Sequence, residues 1–431
     1  GHARLRAGRQ PEALADFQRA LDLRPQSPQL KELVRQLQPE HERFETPYLA
    51  DAAALARAAP DRQGDEDAVV LSDLKVTRVH PSGLSSTYVQ QVVKVFTPRG
   101  ADQLRGHAIG YAPGRQEVRV ERARVWKQDG SAVETHQEAD RSTSEPWYRL
   151  YYDTRVRQVT FPSLAPGDVL ELAWRTDDVA SENLLSDYFG DVTFLADPVR
   201  KLRVDYVLLA PEGRRIHAHD PSLPGLERAE RVLPGGVREH RWTARDLPRL
   251  EPEPGMPGPT ETSPFVHVST YGSWDEVARF YAGLVREPLR PGPEVRAAAE
   301  RIAAEVRARS GEGPVPERRL REALVRATYD FVVTQTRYVG LEFGIHGYKP
   351  YRVDDVLRRR FGDCKDKASL MHALLAAAGV ESRLVLLRMR RLGRIPEAPA
   401  SLAVFNHAIL YVPDLDLWLD GTASHAGSRD L

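Results

Sequence analysis

The chain has 431 residues, long for one hydrophobic core, and a usual domain of about 150 residues suggests roughly three units. Lys+Arg and Asp+Glu both total 61, so no net field favours a polyanion, which argues against nucleic-acid binding. No run approaches the roughly 18 apolar residues of a membrane helix, and the single cysteine, Cys364, excludes an internal disulfide framework, a CxxC pair and a zinc site built on several thiolates.

Residues 1–60 read as helical. Ala13-x3-Phe17-x2-Ala20-x4-Pro25 has the spacing of the second helix of a tetratricopeptide repeat, with Gly8 at the turn and Pro28 to Leu37 as a capping helix. An unrelated amphipathic hairpin is the competing reading, and in either case this end suits packing or docking against a protein partner. The start Gly1-His2-Ala3 lacks an initiator Met and a signal-peptide pattern, and the first repeat helix is cut short, so a fragment or processed form is expected. The excess of arginine over lysine suits a bacterial source.

Residues 61–246 alternate with period two in β-branched and aromatic runs, among them Thr87 to Thr97, Glu117 to Trp126 and Asp168 to Trp174, with turn signals at Asp129-Gly130 and Pro166-Gly167. A β-sandwich domain without catalytic residues is expected. His217-x-His219-Asp220 reads as strand alternation, not as a metal cluster. Residues 247–264 are a Pro-rich linker, since Pro248, Pro252, Pro254, Pro257, Pro259 and Pro264 disfavour helix and internal strand. The last domain, 265–431, opens with helices: Ser273-Trp274-Asp275-Glu276 has the form of a capping box, and Pro293 to Arg309 and Glu317 to Val332 follow.

The chemistry concentrates near the end. Phe361-Gly362-Asp363-Cys364 precedes a helix whose Ala368, Met371, Leu374, Leu375 and Ala378 recur at three- and four-residue spacing, with Gly379 ending it. Cys364 is therefore expected at a helix N-terminus, where free N–H groups favour a thiolate and can hold an oxyanion. Asn406 to Val412 and Leu417 to Asp420 read as a hairpin. Pairing Val412 with Leu417 puts Asp420 one diagonal step from His407 on the same face, so the carboxylate can orient an imidazole that serves Cys364 as base. A one-residue slip would separate them. Asp363 and Asp366 read as helix-start caps or salt-bridge partners, His372 as a core or helix-surface histidine, and Arg358-Arg359-Arg360 as a solvated helix end. Gly393 to Ser401 reads as a polar loop able to gate a cleft.

The run GDCKDKASLMHALLAAAGVESRLVLL, followed by NHAILYV and WLDGT, resembles the core of the bacterial transglutaminase-like superfamily over about Ser263 to the C-terminus. Tyr88 to Phe96 with ERARVWKQDGS resembles the domain of unknown function that precedes such cores. The resemblance implies a papain-like α+β core, so the expected fold class is multidomain: a short α-helical repeat, a β-sandwich-like domain and a transglutaminase core. It places Cys364 on the family nucleophile, His407 on its general base and Asp420 on its orienting acid. It also brings the stretch Gly344 to Pro350 to the site, where the oxyanion partner stays open.

Two functions follow as expectations. One is cysteine-dependent acyl transfer on protein or peptide amides, as a protease, amidase or transglutaminase. The alternative is a catalytically weak or inactive binding scaffold for peptides or cell-envelope components. No cofactor is required by the triad, with calcium left open. Export to the periplasm or another extracytoplasmic space is what the resemblance implies for the full-length protein.

Overall fold

The structure is a computed structural model describing all residues except 24–26, 40–42, 62–63, 135, 181–182, 312–314 and 423–431. Contacts divide the chain into two interleaved units. The first comprises 1–142, 154–272 and 395–401, and the second 143–153, 273–394 and 402–431. The expected break at 264/265 thus moves to 272/273, because Phe265–Ser269 is a strand of the first unit.

In the first unit, helices His2–Arg6, Gln10–Leu23 and Pro28–Leu37 bury Ala13, Leu14, Phe17 and Val34 together. Pro25 of the repeat pattern lies outside the described residues. An eight-stranded sheet runs through Glu227–Leu233, Val237–Leu247, Arg200–Pro211, Ala68–Val79, Ser85–Val95, Val169–Asp178, Gln116–Trp126 and Ala132–Val133. Its neighbours are antiparallel except for Ala68–Val79 with Arg200–Pro211. An irregularity between Val70 and Ser72 resets the alternation. Val69 before it and Leu71 within it pack with Ala52, and Leu74 and Val76 after it with Phe44 and Tyr48.

The opposite face is layered by two small sheets. One, formed by Gly106–Tyr111, Arg155–Thr160 and Gln137–Ser142, packs Ile109 and Val159 against Val70, Val93 and Leu170. The other, formed by Gly190–Phe194, Phe265–Ser269 and His217–His219, packs Val266 and Val268 against Tyr206 and Trp242. The fold is thus a large β-rich unit with sandwich-like layering. Asp220 accepts hydrogen bonds from Trp242 Nε1 at 2.6 Å and Arg228 Nη1 at 2.7 Å, which explains it as a structural carboxylate.

The second unit is α+β. Helices Trp274–Val285, Pro293–Arg309, Glu317–Gln335, Val353–Arg359 and Cys364–Ala377 accompany a sheet of Arg383–Leu387, His407–Val412 and Leu417–Leu419, with His407–Val412 central. Ser273 caps the first helix by accepting a hydrogen bond from Glu276 N. The Cys364–Ala377 helix is buried on several sides, with Leu370, Met371, Ala373, Leu374 and Leu375 all inside. A helix so enclosed is fixed by packing as well as by its caps. Leu150–Tyr152 adds a parallel strand to Gly340–Glu342 in this unit.

Candidate active site

Cys364 is the first residue of its helix. Asp363 Oδ1 accepts from Asp366 N at 3.2 Å, and Asp366 Oδ2 accepts from Asp363 N at 3.3 Å, a reciprocal cap that fixes the backbone beside the thiol. The fully buried Asp363 also pairs with buried Lys365. Burial opposes the Lys365 ammonium, yet Asp363 outweighs it and raises the pKa. Burial and then the Asp363 charge push the Asp366 carboxyl up to about 6. Asp363 and Asp366 are therefore both caps and ion-pair partners, with Lys365 and Arg359 respectively.

Two neighbouring features support the cap. A Cβ on Gly362 would lie 2.4 Å from Asp366 Cβ, so this turn has no room for a side chain. Asp366 also receives Tyr351 N at 2.8 Å and Arg359 Nη2 at 3.2 Å. The Arg359 guanidinium lies 4.2 Å from the Tyr351 ring centroid and 4.8 Å from that of Phe361. Arg359 thus departs from the expected solvated helix end, because the aromatic pair and Asp366 hold it inward.

The hairpin pairs Val412 with Leu417, Tyr411 with Trp418 and Leu410 with Leu419. That register brings His407 Nε2 to 2.9 Å from Asp420 Oδ2. Asp420 Oδ1 accepts from Thr422 N at 2.9 Å and Thr422 Oγ1 at 2.7 Å, so both carboxylate oxygens are held. With Nε2 directed at Asp420, Nδ1 is the ring nitrogen left to serve Cys364, which acts on the imidazole. Burial disfavours the imidazolium, but the hydrogen bond to Asp420 and the influence of Cys364 prevail, raising His407 to about 10. Burial likewise opposes the Asp420 carboxylate, and the bonds from His407 and Thr422 more than offset it, lowering its pKa. The three predicted residues therefore meet in one place.

Cys364 and His407 line a cleft of about 620 Å³, with Tyr152, Tyr281, Tyr338, Glu342, Tyr348 and Phe405 among its walls. Of the upstream stretch, Gly347 and Tyr348 reach the cleft, whereas the His346 ring stacks on Tyr351 at 3.8 Å and its Nδ1 meets Lys349 O at 3.0 Å. His372 Nδ1 meets Ser382 Oγ at 3.0 Å, and burial lowers its pKa, in keeping with a structural histidine. Most of the expected gating loop, residues 395–401, belongs to the first unit, where Ser401 Oγ meets Tyr188 Oη at 2.6 Å.

Sequence reasoning missed Tyr152, Tyr281, Tyr338 and Glu342. Tyr338, Gly340 and Glu342 do alternate, and that period was the one local signal for two of them. Burial raises the pKa of both Tyr281 and Tyr338, assisted by the nearby Cys364 and Asp363 charges.

Residues 81–251 match the model of a domain of unknown function, DUF3857, and residues 314–413 match that of the Transglutaminase-like superfamily. The chain carries a transglutaminase-like domain. Its match includes Cys364 and His407 and stops short of Asp420.

A solved structure of a presumptive protease from Parabacteroides distasonis shares the fold at 19% identity and TM-score 0.67, over 82% of this chain and 67% of that one. A presumptive cysteine protease from Cytophaga hutchinsonii is 15% identical over 55% of this chain and 78% of its own, with TM-score 0.22. An M1 zinc metallopeptidase from Deinococcus radiodurans is 15% identical over 48% and 42%, with TM-score 0.25. The last two superpose too poorly to carry a structural conclusion. No curated protein matches the chain. The matched domains and the shared fold thus agree with the multidomain architecture expected from the sequence, a β-rich domain before a transglutaminase-like core.

Proposed function

We propose that the protein catalyses acyl transfer from protein or peptide amides through Cys364, His407 and Asp420. The observation that carries this reading is His407, held by Asp420 at 2.9 Å and lining one open cleft with Cys364, which starts its helix there. Cys364 Sγ attacks the carbonyl carbon, and its proton resides on His407. The resulting oxyanion can be met by free N–H groups of the first helical turn. As the C–N bond breaks, His407 returns the proton to the leaving amine, and a thioester remains. Water or a second amine then attacks the thioester, gives its proton to His407 and releases Cys364. Asp420 holds the ring and stabilises its charged form throughout.

Glutamine-containing peptides, assayed for ammonia, new amino termini and incorporation of a primary amine, test the reading. Any activity found should fall by about 10³-fold or more in Cys364→Ala. Full activity in that variant would overturn the assignment.

A further inference from the structure

Glu342 is a half-buried carboxylate lining the cleft that contains Cys364. It stands in register with Tyr152 on the paired strand, and Tyr338, four residues earlier at the end of the preceding strand Arg337–Tyr338, lines the same cleft. Among the described residues Glu342 has no hydrogen-bond or ion-pair partner. Lys365, the cation whose charge acts on it, is already paired with Asp363. Arg391 is on an exposed turn at the lining, and its charge acts on Tyr152 without being among the influences on Glu342.

A carboxylate with no bonded counter-ion, close enough to two cleft tyrosines for its charge to act on them, is a receptor for a cation. The acid supplies charge in a partly desolvated site, and the rings favour an ammonium over a neutral group. We propose that Glu342, with Tyr152 and Tyr338, binds a positively charged amino group of the substrate beside Cys364. The group is a primary ammonium, either at the end of a side chain or at a peptide amino terminus. This rests on the reading of the cleft as the place where Cys364 meets its substrate, and it adds a substrate feature which that reading does not specify. Burial also lifts the Glu342 pKa, and an arriving ammonium would act against that shift.

Methanethiosulfonates of different charge test the site on the full chain. The Cys364 thiolate displaces methanesulfinate and forms a mixed disulfide, so even an ordinary thiol reports a rate. Wild-type protein should react faster with the aminoethyl reagent than with the sulfonatoethyl reagent, relative to their rates with a free thiol. Glu342→Gln should reduce the aminoethyl-to-methyl rate ratio by about five- to tenfold, while the methyl rate stays within about twofold. The wild-type preference should also fall with added salt, which requires no variant. An anionic preference, a salt-insensitive ratio or an unchanged ratio in Glu342→Gln would overturn the site.

n-Butylammonium protecting Cys364 from the methyl reagent better than butanol would identify a side-chain ammonium, and protection by glycinamide an amino terminus. Protection by neither would count against the proposal. The pH profile of the methyl reagent reports separately on the activation of Cys364, so the two failures are distinguishable.

Discussion

At His407 burial opposes the hydrogen bond to Asp420 and the nearby charges, and these win, with the pKa reaching about 10. A histidine whose folded pKa is raised contributes stability that is fully present below its unfolded value of about 6.5 and is lost as pH rises through about 10. Asp420→Asn should move the His407 titration, followed by NMR of the ring, down toward the ordinary value. A titration that stays near 10 would show that Asp420 does not hold the charged ring. The smallest residue nearby is as constrained as the charged ones. Gly362→Ala would force Asp366 aside, loosening the cap on the Cys364 turn. The expected result is a fall in Cys364 reactivity, read by alkylation rate, with a loss of about 1–3 kcal/mol in urea unfolding.

The Cys364–Ala377 helix combines a buried core and a buried ion pair at its start. Asp363→Ala would remove the cap and leave Lys365 buried without its partner. Such a change typically costs about 3–5 kcal/mol, which denaturant unfolding would register. Leu374→Ala, fully inside the same helix, should cost about 2–5 kcal/mol through cavity formation.

Much of this element was legible beforehand, because its signals are local. A Gly-Asp-Cys start, a three-and-four spacing and a four-residue turn are enough to fix the helix and the hairpin register. The parallel pairing of Leu150–Tyr152 with Gly340–Glu342 was not legible, since it joins distant segments and neither strand alternates strongly. The placement of Arg359 escaped for a related reason. A charge run looks solvated until aromatic rings and a carboxylate from other turns are brought beside it.

At the scale of the molecule, the units do not follow one cut in the sequence. Phe265–Ser269 pairs within the first unit, and 143–153 belongs to the second although its flanking strands belong to the first. Composition could suggest several modules, and the change from period two to helical spacing located their centres, but contacts made after long chain excursions decided their edges. A fragment cut at 265, as the sequence alone would suggest, carries a strand without its partners and lacks Leu150–Tyr152. Its Gly340–Glu342 amides should exchange hydrogen faster than in the full chain. Equal protection would mean that the parallel pairing adds little to that edge. The balanced charge still speaks only against polyanions, and no helix among the described residues is long and apolar enough to cross a membrane.

The central claim is that His407 and Asp420 activate Cys364, and the most direct measurement is the rate of alkylation of Cys364 by a neutral reagent from pH 4 to 10. The expected wild-type profile keeps substantial reactivity near pH 6, and His407→Ala lowers the rate there by about 10- to 100-fold and moves the rise toward that of an ordinary thiol at about 8.5. A wild-type profile that already rises near 8.5, unchanged by His407→Ala, would contradict the claim and leave the cleft as a binding surface.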